Sequence, residues 1–173
     1  MTAYTALLRA INVSGTGTLP MAELRALCEQ AGFVDVATYI QSGNVVFRSK
    51  RSESSVKKRL EQALAERMGK PVGVHVRPRQ EIDALLEHNP FPSAPPNRVV
   101  VFFLEAPLTS HAVAALEPPD GEQISAHGRE LIIHYPHGQG QSKLKLPFAR
   151  TATGRNLNTV GKLAEMLAAL DTR

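Results

Sequence analysis

The sequence predicts an α+β fold: two ferredoxin-like α/β subdomains, the second incomplete, with antiparallel sheets and helices packed on one face. Three observations carry this. Residues 1–78 alternate strand-like and helical patterns in the order β-α-β-β-α-β, which is the ferredoxin-like unit. A Pro-rich stretch, "NPFPSAPPN", interrupts the pattern at 89–97. Beyond it the order β-α-β-β resumes and closes on an amphipathic helix. The expected organisation is a subdomain at 1–78, a helix and linker at 79–97, and a second, partial subdomain at 98–173.

"YTALLRAINV" opens as a strand. After the loop "SGTGT", "LPMAELRALCEQAG" is a helix that Thr18 can cap, with Pro20 in its first turn and Gly32 at its end. Met21, Leu24, Leu27, Cys28 and Ala31 recur at helical spacing, which places Cys28 on the buried face. "VDVATYI" alternates, with Val34, Val36, Thr38 and Ile40 on one side, and "NVVFRS" is its hairpin partner. "SESSVKKRLEQALAERMG" is a second helix, capped by Ser54 or Ser55, with Val56, Leu60, Ala63 and Leu64 as its stripe. "PVGVHVRP" is a fourth strand with Val72, Val74 and Val76 inward and His75 on the opposite face.

"RQEIDALLEHNPF" is a short helix that runs into the linker. "RVVVFFLE" is apolar on both faces, as a central strand is. "TSHAVAALE" is a helix that stops at Pro118-Pro119, and "EQISAHGRELIIHYP" is a hairpin turned at His127-Gly128. "KLKLPFAR" is a short helix that Ser142 can cap, made irregular by Pro147. "NLNTVGKLAEMLAAL" closes the chain as a helix, with Leu157, Val160, Leu163, Leu167 and Leu170 in one stripe.

Composition narrows the function classes. Hydrophobic residues make up 43% and charged residues 21% of 173, values of an ordinary globular chain. No apolar run approaches the ~20 residues of a membrane span. The start "MTAYTALLRAINV" carries no basic leader, so no signal peptide and no membrane partner are expected. Cys28 is the only cysteine, so no internal disulfide forms, and a cytoplasmic location is expected. The net charge of +4 is unevenly spread: 12 Lys/Arg against 6 Asp/Glu in 1–79, 2 against 8 in 80–136, and 6 against 2 in 137–173. Basic ends around an acidic middle permit a nucleic-acid or phosphate partner without demanding one.

The candidate chemistry lies in loops and element ends. "SGTGT" at 14–18 joins a strand to a helix, and its amides could hold an anion, but it lacks the Gly and Lys spacing of a Walker A loop. "HGQGQSK" at 137–143 offers Lys143 beside Gly-rich backbone. In "TATGRNLNT" Asn156 is a good helix cap, and Arg155 adds a guanidinium beside the same helix N-terminus. With Lys143, Lys145, Arg150 and Arg9 it could form a basic pocket. His134 and His137 lack a third ligand, so no metal is expected, and no cofactor motif is present. No nucleophile and base pair announces itself. Stacking platforms for single-stranded nucleic acid are scarce, with no Trp and 5% aromatics.

Taken together, these motifs resemble a known family. "LLRAINVSGTGTLPMAELRALCEQAGFVDVATYIQSGNVVFRS" closely resembles the N-terminal signature of the bacterial family called domain of unknown function 1697. That signature runs Leu-Leu-Arg-Gly-Ile-Asn-Val-Gly-Gly, a Met-x-x-Leu helix, then Thr-Tyr-Ile-Gln-Ser-Gly-Asn-Val-Val-Phe. The family's Ser-Lys-Leu step is matched by Ser142-Lys143-Leu144, and its Thr-x-Arg-Asn-Trp-Asn-Thr-Val-x-Lys-Leu run by Thr153 to Leu163. The resemblance implies the same two-subdomain fold and no established reaction. This chain departs from the signature at Ala10 and Ser14, each for Gly, and at Leu157 for Trp. Ala10 and Ser14 argue against a backbone role that needs positive φ at those positions.

Carried over residue by residue, the signature's polar part is Arg9, Asn12, Gln41, Ser42, Gly43, Asn44, Ser142, Lys143, Arg155, Asn156, Asn158 and Thr159. Two roles fit such a set of amides and cations. All but Thr159 could line a cleft between the halves for an anionic ligand: a nucleotide, a phosphorylated metabolite or nucleic-acid phosphate. Or the set could form a buried hydrogen-bond network, leaving the surface to protein partners. A third reading, an enzyme on a small phosphorylated substrate, would need His134, His137 or Glu130 as base. The sequence fixes no oligomeric state.

Overall fold

The structure, a computed structural model, describes residues 1–13 and 17–172. The chain divides into two compact units, Met1–Asp83 with Leu163–Arg173, and Ala84–Lys162. The second unit begins at Ala84, inside the span 79–97 read as helix and linker, and Leu163–Arg173 groups with the first unit.

The first unit contains β1 (Thr2–Leu8), α1 (Met21–Gln30), β2 (Val34–Tyr39), β3 (Asn44–Ser49), α2 (Glu53–Met68) and β4 (Val74–Pro78), with α3 (Arg79–His88) following directly. Its strands form one antiparallel sheet in the order β2-β3-β1-β4, the ferredoxin-like arrangement. Period two along β1 sends Tyr4, Ala6 and Leu8 to the face covered by Leu24 and Cys28 of α1 and by Val56, Leu60 and Leu64 of α2. Val72, Val74 and Val76 join the same core. Phe33 stacks on Phe47, ring centroids 4.4 Å apart.

Local chemistry departs from expectation at three points. Thr18 does not cap α1: the N-cap is Pro20, whose carbonyl accepts from Glu23 and Leu24 N–H. Ser52, not Ser54 or Ser55, caps α2, its hydroxyl accepting from the Ser55 amide at 3.3 Å. The alternation along β2 is broken by a bulge between Val34 and Ala37, where Asp35 adopts φ +53°. Arg48 holds the bulge through two bonds to Asp35 Oδ2, at 2.8 and 2.6 Å. Val34, read on one side with Val36, is exposed at the bulge while Val36 is buried, and Ile40, read on the same side, is exposed beyond the end of the strand.

The second unit repeats the strand order. β5 (Val99–Phe103), α4 (Ser110–Ala114), β6 (Gln123–His127), β7 (Glu130–His134) and β8 (Thr153–Asn156) give a sheet ordered β6-β7-β5-β8. β5 is central and buried throughout. Thr109 caps α4. The β6–β7 turn is Gly128-Arg129, one residue beyond its expected place, with Gly128 at φ +56°.

The unit is incomplete in helix, not in strand. Where the first unit has α2, the second has a 3-10 turn at Gln139–Gln141 and a segment without helix. "KLKLPFAR" is not the expected helix. Leu144, Leu146 and Phe148 pack against the core of Val100, Phe102, Leu131 and Ile133, while Lys143, Lys145 and Pro147 are exposed. That is a period-two alternation serving as the missing cover. Residues 153–156, read as a loop before the last helix, are the fourth strand, paired to β5 with Arg155 opposite Val101.

α5 (Leu157–Leu170) follows β8 directly. Its residues from Leu163 onward belong to the first unit, where Met166, Ala169 and Leu170 line a groove with Ala37 and Val46 of the sheet and Arg25 and Glu29 of α1. Arg79 reaches Asp171 at 2.6 Å, tying the end of β4 to the chain's last turn.

Candidate functional site

The polar signature residues fall into two groups, one per unit. In the first unit they converge where β1 ends beside the tip of the β2–β3 hairpin. Three backbones there are left-handed without being glycine: Ala10 at φ +53°, Asn12 at +58° and Ile40 at +48°. Asn tolerates this region, whereas a β-branched residue such as Ile40 is strained in it. Ala10 overturns the expectation that a departure from Gly excludes positive φ: the backbone keeps the left-handed turn, and the alanine bears the strain. Ser14 lies outside the described residues, as does most of the "SGTGT" loop.

Asn12 is the hub. Its Nδ2 donates to the carbonyls of Leu19 and Gln41, each at 2.8 Å, and its Oδ1 accepts from the Leu19 amide at 2.7 Å. One side chain thus closes the loop leading to α1 and clips it to the hairpin tip. Gln41 takes part through its backbone alone, and its side chain is exposed. Asn44 is fully buried, and its Nδ2 donates to Tyr39 O and Ser42 Oγ, both at 2.9 Å. Gly43, at φ +89°, accepts from the Leu8 amide at 2.9 Å. The Arg9 amide donates to Gly73 O, and its side chain lies beside Gly73.

In the second unit the signature is split between two anchors. Ser142 Oγ donates to Glu122 Oε1 at 2.7 Å and accepts from the Leu144 amide, so it pins the start of the substitute cover. That bond, with the Asp120 amide on Glu122 Oε2, holds the Glu122 carboxyl below its ordinary range. Glu122 was invisible as a partner in the sequence, because its contact spans 20 residues with no local pattern. Lys143 is exposed.

The other anchor is β8. Arg155 is buried, and its Nη1 donates to Thr153 Oγ1 at 2.7 Å and Gly154 O at 2.9 Å. Burial pushes the guanidinium down to about 10, which leaves it charged at neutral pH. Asn156 caps α5, its Oδ1 accepting from the Thr159 amide at 3.0 Å, as expected. Asn158 is exposed on the first turn. A second buried arginine escaped the sequence reading. Arg77 on β4 sits opposite Thr5 of β1, as Arg155 on β8 sits opposite Val101 of β5. The two arginines hold equivalent places in the two sheets, each on the face away from its own unit's helix-side core.

Of the remaining candidates, His134 Nδ1 lies 3.2 Å from Gln123 Oε1 and its ring tilts against Phe91. His137 faces Asp120 at 3.7 Å on an open surface. Among the described residues no group of three or more His, Cys, Asp or Glu could hold a metal. No helix among them is long and apolar enough to cross a membrane.

The chain belongs to the family described as protein of unknown function (DUF1697), whose pattern matches residues 1–131. It is similar over 96% of its length to a solved structure, that of the conserved bacterial protein SP0830 from Streptococcus pneumoniae, with 29% identity, 98% of that chain covered and a TM-score of 0.79. No curated protein matches it.

Proposed function

We propose that this protein is an interaction domain that docks other macromolecules, and that its polar signature braces the fold instead of seating a small anion. One observation carries the reading: both polar atoms of the Asn12 side chain are engaged by backbone groups of Leu19 and Gln41. Asn44, Ser142 and Asn156 act in the same way, each on groups of its own unit. The braced tip presents exposed Val13 and Ile40, 56% and 47% accessible, as apolar contact points.

The test is a thermal-shift series with inorganic phosphate, nucleotides and phosphorylated sugars. No probe is expected to raise the melting temperature. A phosphate-bearing probe that stabilises the wild type, with the effect lost in a folded Asn12→Ala variant, overturns the reading.

A second reading has one observation in its favour. The alternation across "KLKLPF" turns Lys143 and Lys145 outward, with exposed Arg150 close behind in sequence. A polyanion such as a nucleic-acid backbone would find charge there. Binding that weakens steeply between low and moderate salt, and that is lost in a Lys143→Gln, Lys145→Gln pair, would favour it.

A further inference from the structure

We propose that β6 is a pairing edge whose partner is β6 of a second copy of this chain, joined antiparallel about a two-fold axis through Ser125. β6 is the outer strand of its sheet and pairs with β7 alone. The two-residue turn Gly128-Arg129 makes His127 and Glu130 a hydrogen-bonded pair, and the antiparallel alternation fixes the rest. Gln123, Ser125 and His127 bond to β7. The N–H and C=O of Ile124 and Ala126 point the other way.

The other outer strands are protected. β2 is bulged at Asp35. β4 is buried from Val74 to Arg77 and ends in Pro78. β8 has four residues, of which Thr153 and Arg155 are buried. β6, "QISAH", has no proline, no Lys, Arg, Asp or Glu, and an unbroken register over its length, and Ala126 is exposed. Proteins normally blunt such an edge with charge, proline or a bulge, and one left unblunted is a template for another strand.

A second copy fits this template better than an arbitrary peptide because the register is self-complementary. With Ser125 facing its own image, Ile124 lies opposite Ala126 and exchanges both backbone bonds with it, twice by symmetry. Gln123 lies opposite His127, an amide against an imidazole. No like charges meet. One strand pair is a small interface, so dimerisation is concentration-dependent.

This deepens the interaction reading. A monomeric chain overturns self-pairing alone, whereas a stabilising anion overturns the interaction reading whatever the oligomeric state. Sedimentation of the full chain over a dilution series is expected to show monomer and dimer. Ala126→Pro removes one outward N–H from each copy, hence two bonds of the pair, and is expected to weaken the dimer at least about tenfold. Ser125→Lys and Ser125→Asp are each expected to be monomeric and, when mixed, to form a heterodimer. The mixing restores pairing only if position 125 meets its own image. Wild type that stays monomeric, or a dimer indifferent to these substitutions, overturns the proposal. So does slow amide exchange at Ile124 and Ala126 that is independent of concentration, because the edge would then be covered within the chain.

Discussion

The Leu8 amide donates to the Gly43 carbonyl at 2.9 Å, and a Cβ added to Gly43 would stand 2.9 Å from the Cβ of Leu8. The hairpin tip therefore touches the end of β1 backbone to backbone, at a site where φ is +89°. Gly43→Ala meets both a left-handed backbone and a contact no real Cβ makes. It is expected to destabilise by about 2–4 kcal/mol, read from the midpoint of urea unfolding.

Ala10 offers the opposite case. It is exposed, and its φ of +53° is strained for alanine. Ala10→Gly removes roughly 1–2 kcal/mol of strain and adds about 0.5–1 kcal/mol of unfolded-state entropy. A net effect between about zero and 1.5 kcal/mol in favour of glycine is expected, seen as a melting temperature that is unchanged or higher. A clearly lower value would contradict the left-handed backbone.

Asn44 and Gln41, neighbours in the signature, should behave differently. Asn44→Ala removes the side-chain donors that Tyr39 O and Ser42 Oγ receive from a fully buried residue and is expected to cost about 1–3 kcal/mol. Gln41→Ala changes only an exposed side chain and should stay within about 0.5 kcal/mol of wild type. Chemical denaturation of both variants distinguishes bracing from a site that needs both side chains.

Glu122 gives a pH dependence. Its carboxyl is lowered in the folded chain, mainly by the Ser142 hydroxyl. A depressed carboxyl stabilises the fold above the unfolded value and loses that contribution as pH falls through the folded one. Ser142→Ala should raise the Glu122 midpoint toward the ordinary range in a carboxyl NMR titration and make the fold less tolerant of acid. A midpoint indifferent to Ser142 would contradict the bond.

Cys28 is fully buried on α1, and burial pushes its thiol up to about 12. At pH 8 it is protonated and shielded, so a disulfide-exchange reagent is expected to label it only as the chain unfolds. Labelling of native protein at the rate of a free thiol would refute this.

The elements of the first unit were legible because strand and helix periods differ sharply there: alternating valines in "PVGVHVRP", helical spacing in "MAELRALCEQAG". β8 was not. Thr153-Gly154-Arg155-Asn156 has no apolar alternation of its own and is a strand because β5 offers it an edge. "KLKLPFAR" carried its answer in the alternation of Leu144, Leu146 and Phe148, yet a capping serine and good helix formers pointed elsewhere. The signature marked out a set of polar residues, of which Asn12, Asn44, Ser142 and Asn156 make the bonds described above while the side chains of Gln41, Lys143 and Asn158 are exposed. It could not assign their partners, since Asn12 and Ser142 bond to groups 29 and 20 residues away.

The first unit is interrupted in sequence: it takes residues up to Asp83 and then waits for Leu163 and beyond. Leu163, Leu167 and Leu170 are buried, and Asp171 pairs with Arg79. In the order of synthesis, the four strands of the first sheet emerge long before the helix residues that complete their unit, and a stop codon near position 162 would remove Leu163, Leu167, Leu170 and the Arg79–Asp171 pair together.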